Sequence, residues 1–191
     1  MNQKNLLEVD WSQIPAPKDD GAADHLAGLA IPPVNLVATD DTSVTLSALR
    51  GRSVVFAYPR TGEPGKISLV DDWDMIPGAR GCTPQTCSFR DLFAELKAAG
   101  AQHVFGLSTQ NNAYQTEMAS RLHLPFPILS DEKLELTRAL DLPTMEVAGL
   151  VLIKRLALII DDARITHVFY PVFPPDRNAG DVLEWLKENP L

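Results

Sequence analysis

Cysteine is scarce in this chain: two, Cys82 and Cys87, among 191 residues. A disulfide-stapled secreted domain uses many more in a shorter chain, and two thiols fall short of a four-cysteine zinc site. The four histidines, His25, His103, His123 and His167, lie far apart and show no ligand spacing, so no metal is expected. Positive charge is also in short supply. A formal net charge of −8 argues against nucleic acid or an anionic membrane surface as a partner, because both require a basic patch. No run approaches the roughly 20 apolar residues that span a bilayer. Met1 to Asp20 lacks the charged-then-apolar pattern of a secretory leader, and a cytoplasmic protein is expected. Internal repeats and low-complexity tracts are absent.

What remains is ordinary globular material, 45% hydrophobic and 22% charged, long enough to bury one core. Residues 1–32, punctuated by Pro15, Pro17, Pro32 and Pro33, read as an N-terminal arm; residues 33–191 read as the domain. Val34 to Ala38 and Ser43 to Leu46 flank the turn Asp40-Asp41 and predict a hairpin. Ser53 to Tyr58, ended by Pro59, predicts a buried central strand. Residues 60–81 hold glycines and prolines without a clean period and predict a long loop of the kind that is either functional or disordered. Phe89, Leu92, Phe93 and Leu96 fall at i, i+3, i+4 and i+7, predicting one amphipathic helix over Pro84 to Ala99. Beyond it strands and helices alternate: His103 to Ser108, Asn112 to Leu122, Pro127 to Leu129 and Asp131 to Leu140. Three strands follow, Val147 to Ile153, Leu156 to Asp161 and Ile165 to Tyr170, before a last helix over Asn178 to Glu188. This pattern implies a three-layer α/β domain on a mixed central sheet, compatible with a thioredoxin-like fold carrying an extra N-terminal hairpin.

The chemistry concentrates in GCTPQTCSFRD, residues 81–91. Thr83 followed by Pro84 is a helix-start signal, with Thr as the cap and Pro at the first helical position. Cys82 then lies at the positive end of the helix, where free N–H groups favour a nucleophilic thiolate. Cys87 follows at a C-x4-C spacing. Five helical steps separate Cα atoms by roughly 9 Å, whereas a disulfide needs about 4.4–6.8 Å. The two can be bridged only if the first turn opens or Cys82 lies outside it, so local unwinding coupled to oxidation is expected. These residues support a redox thiol pair without naming a substrate; the alternative is a pair of small buried hydrophobes.

The segment GCTPQTCSFRD resembles the active-site segment of Q-type peroxiredoxins, the bacterioferritin comigratory protein group. FAYPR, LPFPILSDEKLELTRALDL and KRLALIIDDARITHVFY resemble further segments of that family, in the right order, over roughly residues 28 to 188. The resemblance implies a thiol peroxidase without cofactor, acting on hydrogen peroxide or alkyl hydroperoxides. By it Cys82 is the peroxidatic cysteine, oxidised to a sulfenic acid, and Cys87 resolves it as an intramolecular disulfide. Thioredoxin or a similar reductant would restore both thiols. Arg155 matches the arginine that holds thiolate and peroxide; Pro77, Gly81 and Tyr58 are expected around the substrate. The family carries a Thr or Ser three residues before its cysteine, where this chain has Ala79, and Thr83 or a group from the loop over residues 60–81 is the expected replacement hydroxyl. The resemblance implies a monomer, with a dimer as the alternative. Other readings of the same pair are a thiol–disulfide oxidoreductase or redox sensor with slow peroxide turnover, and a non-catalytic thioredoxin-like binding module.

Overall fold

The computed structural model describes residues 9–191; residues 1–8 of the expected arm lie outside the described residues. The N-terminal hairpin is present as β1 (Asn35–Ala38) and β2 (Ser43–Thr45). Its turn is tied by the Asp40 carboxylate, which accepts from Thr42 N and Oγ1 at 3.2 and 2.6 Å, the local bond that makes Asp a turn former. The apolar run becomes β3 (Arg52–Ala57), buried along its whole length. The remaining strands of the main sheet are β4 (His103–Ser108), β5 (Ile128–Ser130), β8 (Leu156–Asp161) and β9 (Arg164–Phe169), and they order as β2-β1-β5-β4-β3-β8-β9. β3 pairs parallel with β4 and antiparallel with β8, so the sheet is mixed.

Alternation along β3 sends Val54 and Phe56 to one face and Val55 and Ala57 to the other. On the first face lie α1 (Cys82–Asp91), α2 (Phe93–Ala98), α3 (Asn112–Arg121) and α5 (Asn178–Glu188). On the second lie α4 (Glu135–Leu140) and the arm residues Ala23, Leu26 and Ile31. The three-layer, thioredoxin-like arrangement expected from the sequence is therefore the arrangement observed. Gly106 of β4 is required by this packing: a Cβ there would lie 2.4 Å from Ile128 Cδ1. Phe89 of α1 stacks on Phe56 with centroids 4.0 Å apart, which fixes α1 against the sheet.

Three local expectations change. The helix expected over Pro84 to Ala99 starts earlier, at Cys82, and breaks at Leu92, whose N–H bonds back to the Ser88 and Arg90 carbonyls. The strand expected over Val147 to Ile153 is a separate hairpin of β6 (Thr144–Val147) and β7 (Leu150–Ile153). Ala148 and Gly149, both at positive φ (52° and 76°), make its two-residue turn. Residues 60–81 are not loose either. Trp73 and Ala79 bury themselves against Val147 and Leu152, a small core of their own.

Arg52, almost fully buried, forks onto Asp161 at 2.7 and 2.8 Å and joins the start of β3 to the end of β8. Arg52 holds the Asp161 carboxyl below its ordinary range, against the opposing effect of burial. We expect Asp161→Asn to cost about 1–3 kcal/mol at pH 7. The folded carboxyl titrates below its unfolded value of about 3.9, so the margin is complete above that pH and disappears as pH falls through the folded value. Urea midpoints of the two proteins should converge in acid; a constant gap would assign the loss to something other than this pair.

Candidate active site

Gly81 caps α1 with φ at 104°, in the left-handed region that suits glycine. Its carbonyl accepts Gln85 N–H at 3.0 Å and begins the helical ladder. Gly81 thus takes the capping place expected of Thr83, which lies inside the first turn and is buried. Pro84 does not prevent this, because the first turn has no intrahelical acceptor to lose. Cys82 is the first residue of the helix and 3% exposed. Cys82 therefore lies at the helix N-terminus, as the sequence suggested.

Arg155 comes from the two-residue link between β7 and β8, 2% exposed. Its Nη2 lies 3.3 Å from Cys82 Sγ. The same nitrogen is 3.2, 3.3 and 3.0 Å from the carbonyl oxygens of Gly78, Ala79 and Arg80. Nη1 donates to Gln85 Oε1, and Gln85 Nε2 donates to Asn178 Oδ1 at 2.9 Å. Gln85 is fully buried, so a chain of side chains runs from the sulfur through Arg155 and α1 to the start of α5. No carboxylate among the described residues forms an ion pair with Arg155. A buried cation without a counter-charge is costly, and the Cys82 sulfur is the neighbouring atom able to carry a negative charge. As a thiol, the same sulfur reaches the Ala79 carbonyl at 3.5 Å.

Around this pair the other expected residues take different places. Tyr58 is buried in the same cluster as Cys82 and donates to Gln115 Oε1 at 3.0 Å. Burial, and secondarily charge on Cys82, pushes its phenol well above the ordinary value, so it remains neutral. Pro77 lies in the wall of a cavity of about 110 Å3 that also touches Pro17, Lys18, Gly78, Arg155 and Tyr170. Ala79 contributes its carbonyl, and Thr86, not Thr83, bonds the Cys82 carbonyl, at 2.9 Å. Arg80 pairs with Asp74 at 3.1 Å, on the loop side.

Cys87 lies one turn onward, inside regular helix and buried in the core that contains Phe89 and Phe56. Burial raises its thiol above the ordinary value, with Arg90 opposing. The two sulfurs therefore sit in unlike surroundings, one beside a cation and one in apolar packing. Both are free thiols, and the helical spacing between them is too wide for a bond. Sequence reasoning missed Gln85 and Asn178. A glutamine three residues after a cysteine carries no local signal, and Asn178 is distant in sequence. No group of three or more His, Cys, Asp or Glu among the described residues could hold a metal ion.

Comparison with known proteins gives this geometry a family. The Redoxin family model matches residues 26–183. Peroxiredoxin Q of Oryza sativa subsp. japonica chloroplasts is 29% identical over 161 residues, 84% of this chain and 66% of the relative. The chloroplastic peroxiredoxin Q of Triticum aestivum is 27% identical over 91% of this chain and 75% of its own length. The chain thus spans about two thirds to three quarters of these relatives. Among solved structures, peroxidoxin BcpB of Mycobacterium tuberculosis superposes with a TM-score of 0.69 at 25% identity, covering 86% of this chain and 98% of its own. A peroxiredoxin Q variant of Xylella fastidiosa gives 0.67 at 21% identity, over 85% and 95%. The chain belongs to the Redoxin family, and the relatives it resembles within that family are peroxiredoxins of the Q type.

Proposed function

We propose that this protein is a thiol-dependent peroxidase in which Cys82 attacks peroxide and Cys87 resolves the product. The observation that carries the proposal is Arg155, buried with no carboxylate partner among the described residues and 3.3 Å from Cys82 Sγ, with a second thiol one turn along the same helix. The Cys82 thiolate attacks one peroxide oxygen and the O–O bond breaks. Sulfur gains that oxygen as a sulfenic acid, and the departing alkoxide or hydroxide takes a proton and leaves as alcohol or water. The Cys87 thiol then displaces the sulfenic oxygen as water, forming the Cys82–Cys87 disulfide. An external dithiol, thioredoxin or a similar reductant, returns both thiols. Arg155 supplies fixed positive charge for the thiolate and the leaving oxygen. Pro77 frames the substrate in the cavity that Arg155 also lines, while Thr83, Gly81 and Tyr58 pack behind it as buried supports of the thiol site.

The comparisons support the substrate class in stated terms: one solved relative, from Xanthomonas campestris, is described by its alkyl peroxide reduction activity. No helix among the described residues is long and apolar enough to cross a membrane. Two unpaired cysteines suit a reducing compartment, and the cytoplasm is the proposed location. We assign a monomer as the working unit.

Stopped-flow consumption of hydrogen peroxide and an alkyl hydroperoxide by reduced protein tests the reading. Cys82→Ser should abolish consumption. Cys87→Ser should keep the first oxidation and lose the disulfide seen by mass spectrometry. Slow consumption by the wild type with ready exchange against thioredoxin would favour a redox sensor, and two inert thiols would favour a binding module. Arg155→Met should slow the peroxide step by about 10²–10³-fold, the effect of removing a preorganised donor from a buried site. Gln85→Leu, which removes the acceptor for Arg155 Nη1, should slow it by roughly tenfold; an unchanged rate would mean that the main-chain carbonyls alone aim the guanidinium.

A further inference from the structure

The arm ahead of the region matched by the family model crosses the start of the catalytic helix. Trp11 donates its indole N–H to Asp176 Oδ2 at 2.8 Å and meets Phe173 edge-on, with centroids 6.0 Å apart. Its ring and Pro175 close over Gly81: a Cβ at that position would lie 2.7 Å from Trp11 Cη2 and 2.5 Å from Pro175 Cγ. The only residue type that fits beneath the indole is the one present. Further along, Pro17 approaches Gly78, and Asp20 binds Lys154 Nζ at 2.6 Å and Tyr170 Oη at 2.7 Å. The strap is therefore fastened at both ends, over the peptide that leads into Cys82.

Forming the Cys82–Cys87 bond requires the first turn to open, because the helical Cα separation is roughly 9 Å against the 4.4–6.8 Å of a disulfide. The first bond in that turn, Gln85 N–H to the Gly81 carbonyl at 3.0 Å, spans the segment that must rearrange. Gly81 is thus both the cap that opens and the floor on which Trp11 rests. We infer that Trp11 is a positioning residue for the resolution step: its seat on Gly81 stabilises the closed, reduced helix, and disulfide formation releases the arm. The inference rests on the proposed Cys82–Cys87 pairing and adds to it a residue outside the thiol site.

The sign follows from a thermodynamic cycle. Contacts present in the reduced form and lost in the disulfide favour the dithiol, so removing them favours the disulfide. Trp11→Ala should raise the oxidation equilibrium constant by roughly tenfold, the combined worth of an aromatic contact and a hydrogen bond. For a two-electron couple that is a midpoint about 30 mV more negative. Trp11→Phe keeps a ring on Gly81 without the hydrogen bond and should move it in the same direction by about threefold. The test is titration of the full chain against defined dithiol–disulfide couples, read by alkylation and mass spectrometry. Hydrogen exchange of residues 10–20 in the reduced and oxidised wild type accompanies it, and exchange there should rise on oxidation. Peroxide plays no part, so a protein that fails to consume peroxide yet shows these shifts would sink the peroxidase reading alone. A disulfide that forms with the same midpoint in both variants, or with unchanged exchange in the arm, would overturn the inference. Should Trp11→Ala fail to fold, Trp11→Phe and the exchange measurement decide it.

Discussion

A guanidinium sealed from water must find negative charge or its equivalent, and in this molecule Arg155 finds it in three main-chain carbonyls, one glutamine oxygen and one sulfur. The carbonyls supply dipoles and the sulfur alone can supply a full charge. Much of the surrounding architecture serves that arrangement. The loop before α1 ends in the residues whose carbonyls face the arginine, and its own small core around Trp73 holds them there. The central sheet sets the height of Arg155 through the pairing of β8 with β3. The stack of Phe89 on Phe56 sets the height of α1, and with it Cys82.

The two thiols are made different by position rather than by chemistry. Cys82 is at a helix start beside a cation, while Cys87 is a turn deeper among apolar side chains that keep it protonated. The proposed division of labour between attack and resolution would follow from that contrast. It also explains why resolution needs motion, since a protonated thiol in close packing cannot reach its partner without leaving the helix.

Much of this was legible in the residue order. The apolar run from Ser53 to Tyr58, the period from Phe89 to Leu96 and the spacing of Cys82 and Cys87 led to the sheet, the helix and the thiol pair. Arg155 was reachable through its segment's likeness to a family. What could not be read was whatever depends on contacts between distant parts of the chain. Gln85 gains its role from Arg155 and Asn178, seventy and ninety-three residues away. The helix start shifted because a glycine able to adopt positive φ stood just before the cysteine, an alternative cap that Thr83-Pro84 masked. The loop over residues 60–81 looked structureless because its apolar residues have no period; their partners, Val147 and Leu152, lie in a hairpin that the Ala148-Gly149 pair would have disclosed.

Lys154 and Arg155 are adjacent in the link between β7 and β8 and face opposite ways. Lys154 reaches outward to Asp20 of the arm, and Arg155 reaches inward to the sulfur. The chain bends at Arg155 between two strands, so which side each residue faces is locked to the positions of the strands on either side. A one-residue slip in this link would exchange the two cations and put a point-charge ammonium where a planar, five-donor fork is required. The spacing of a dipeptide thus constrains which lengths of the preceding hairpin this fold can accept and still keep a guanidinium beside its sulfur.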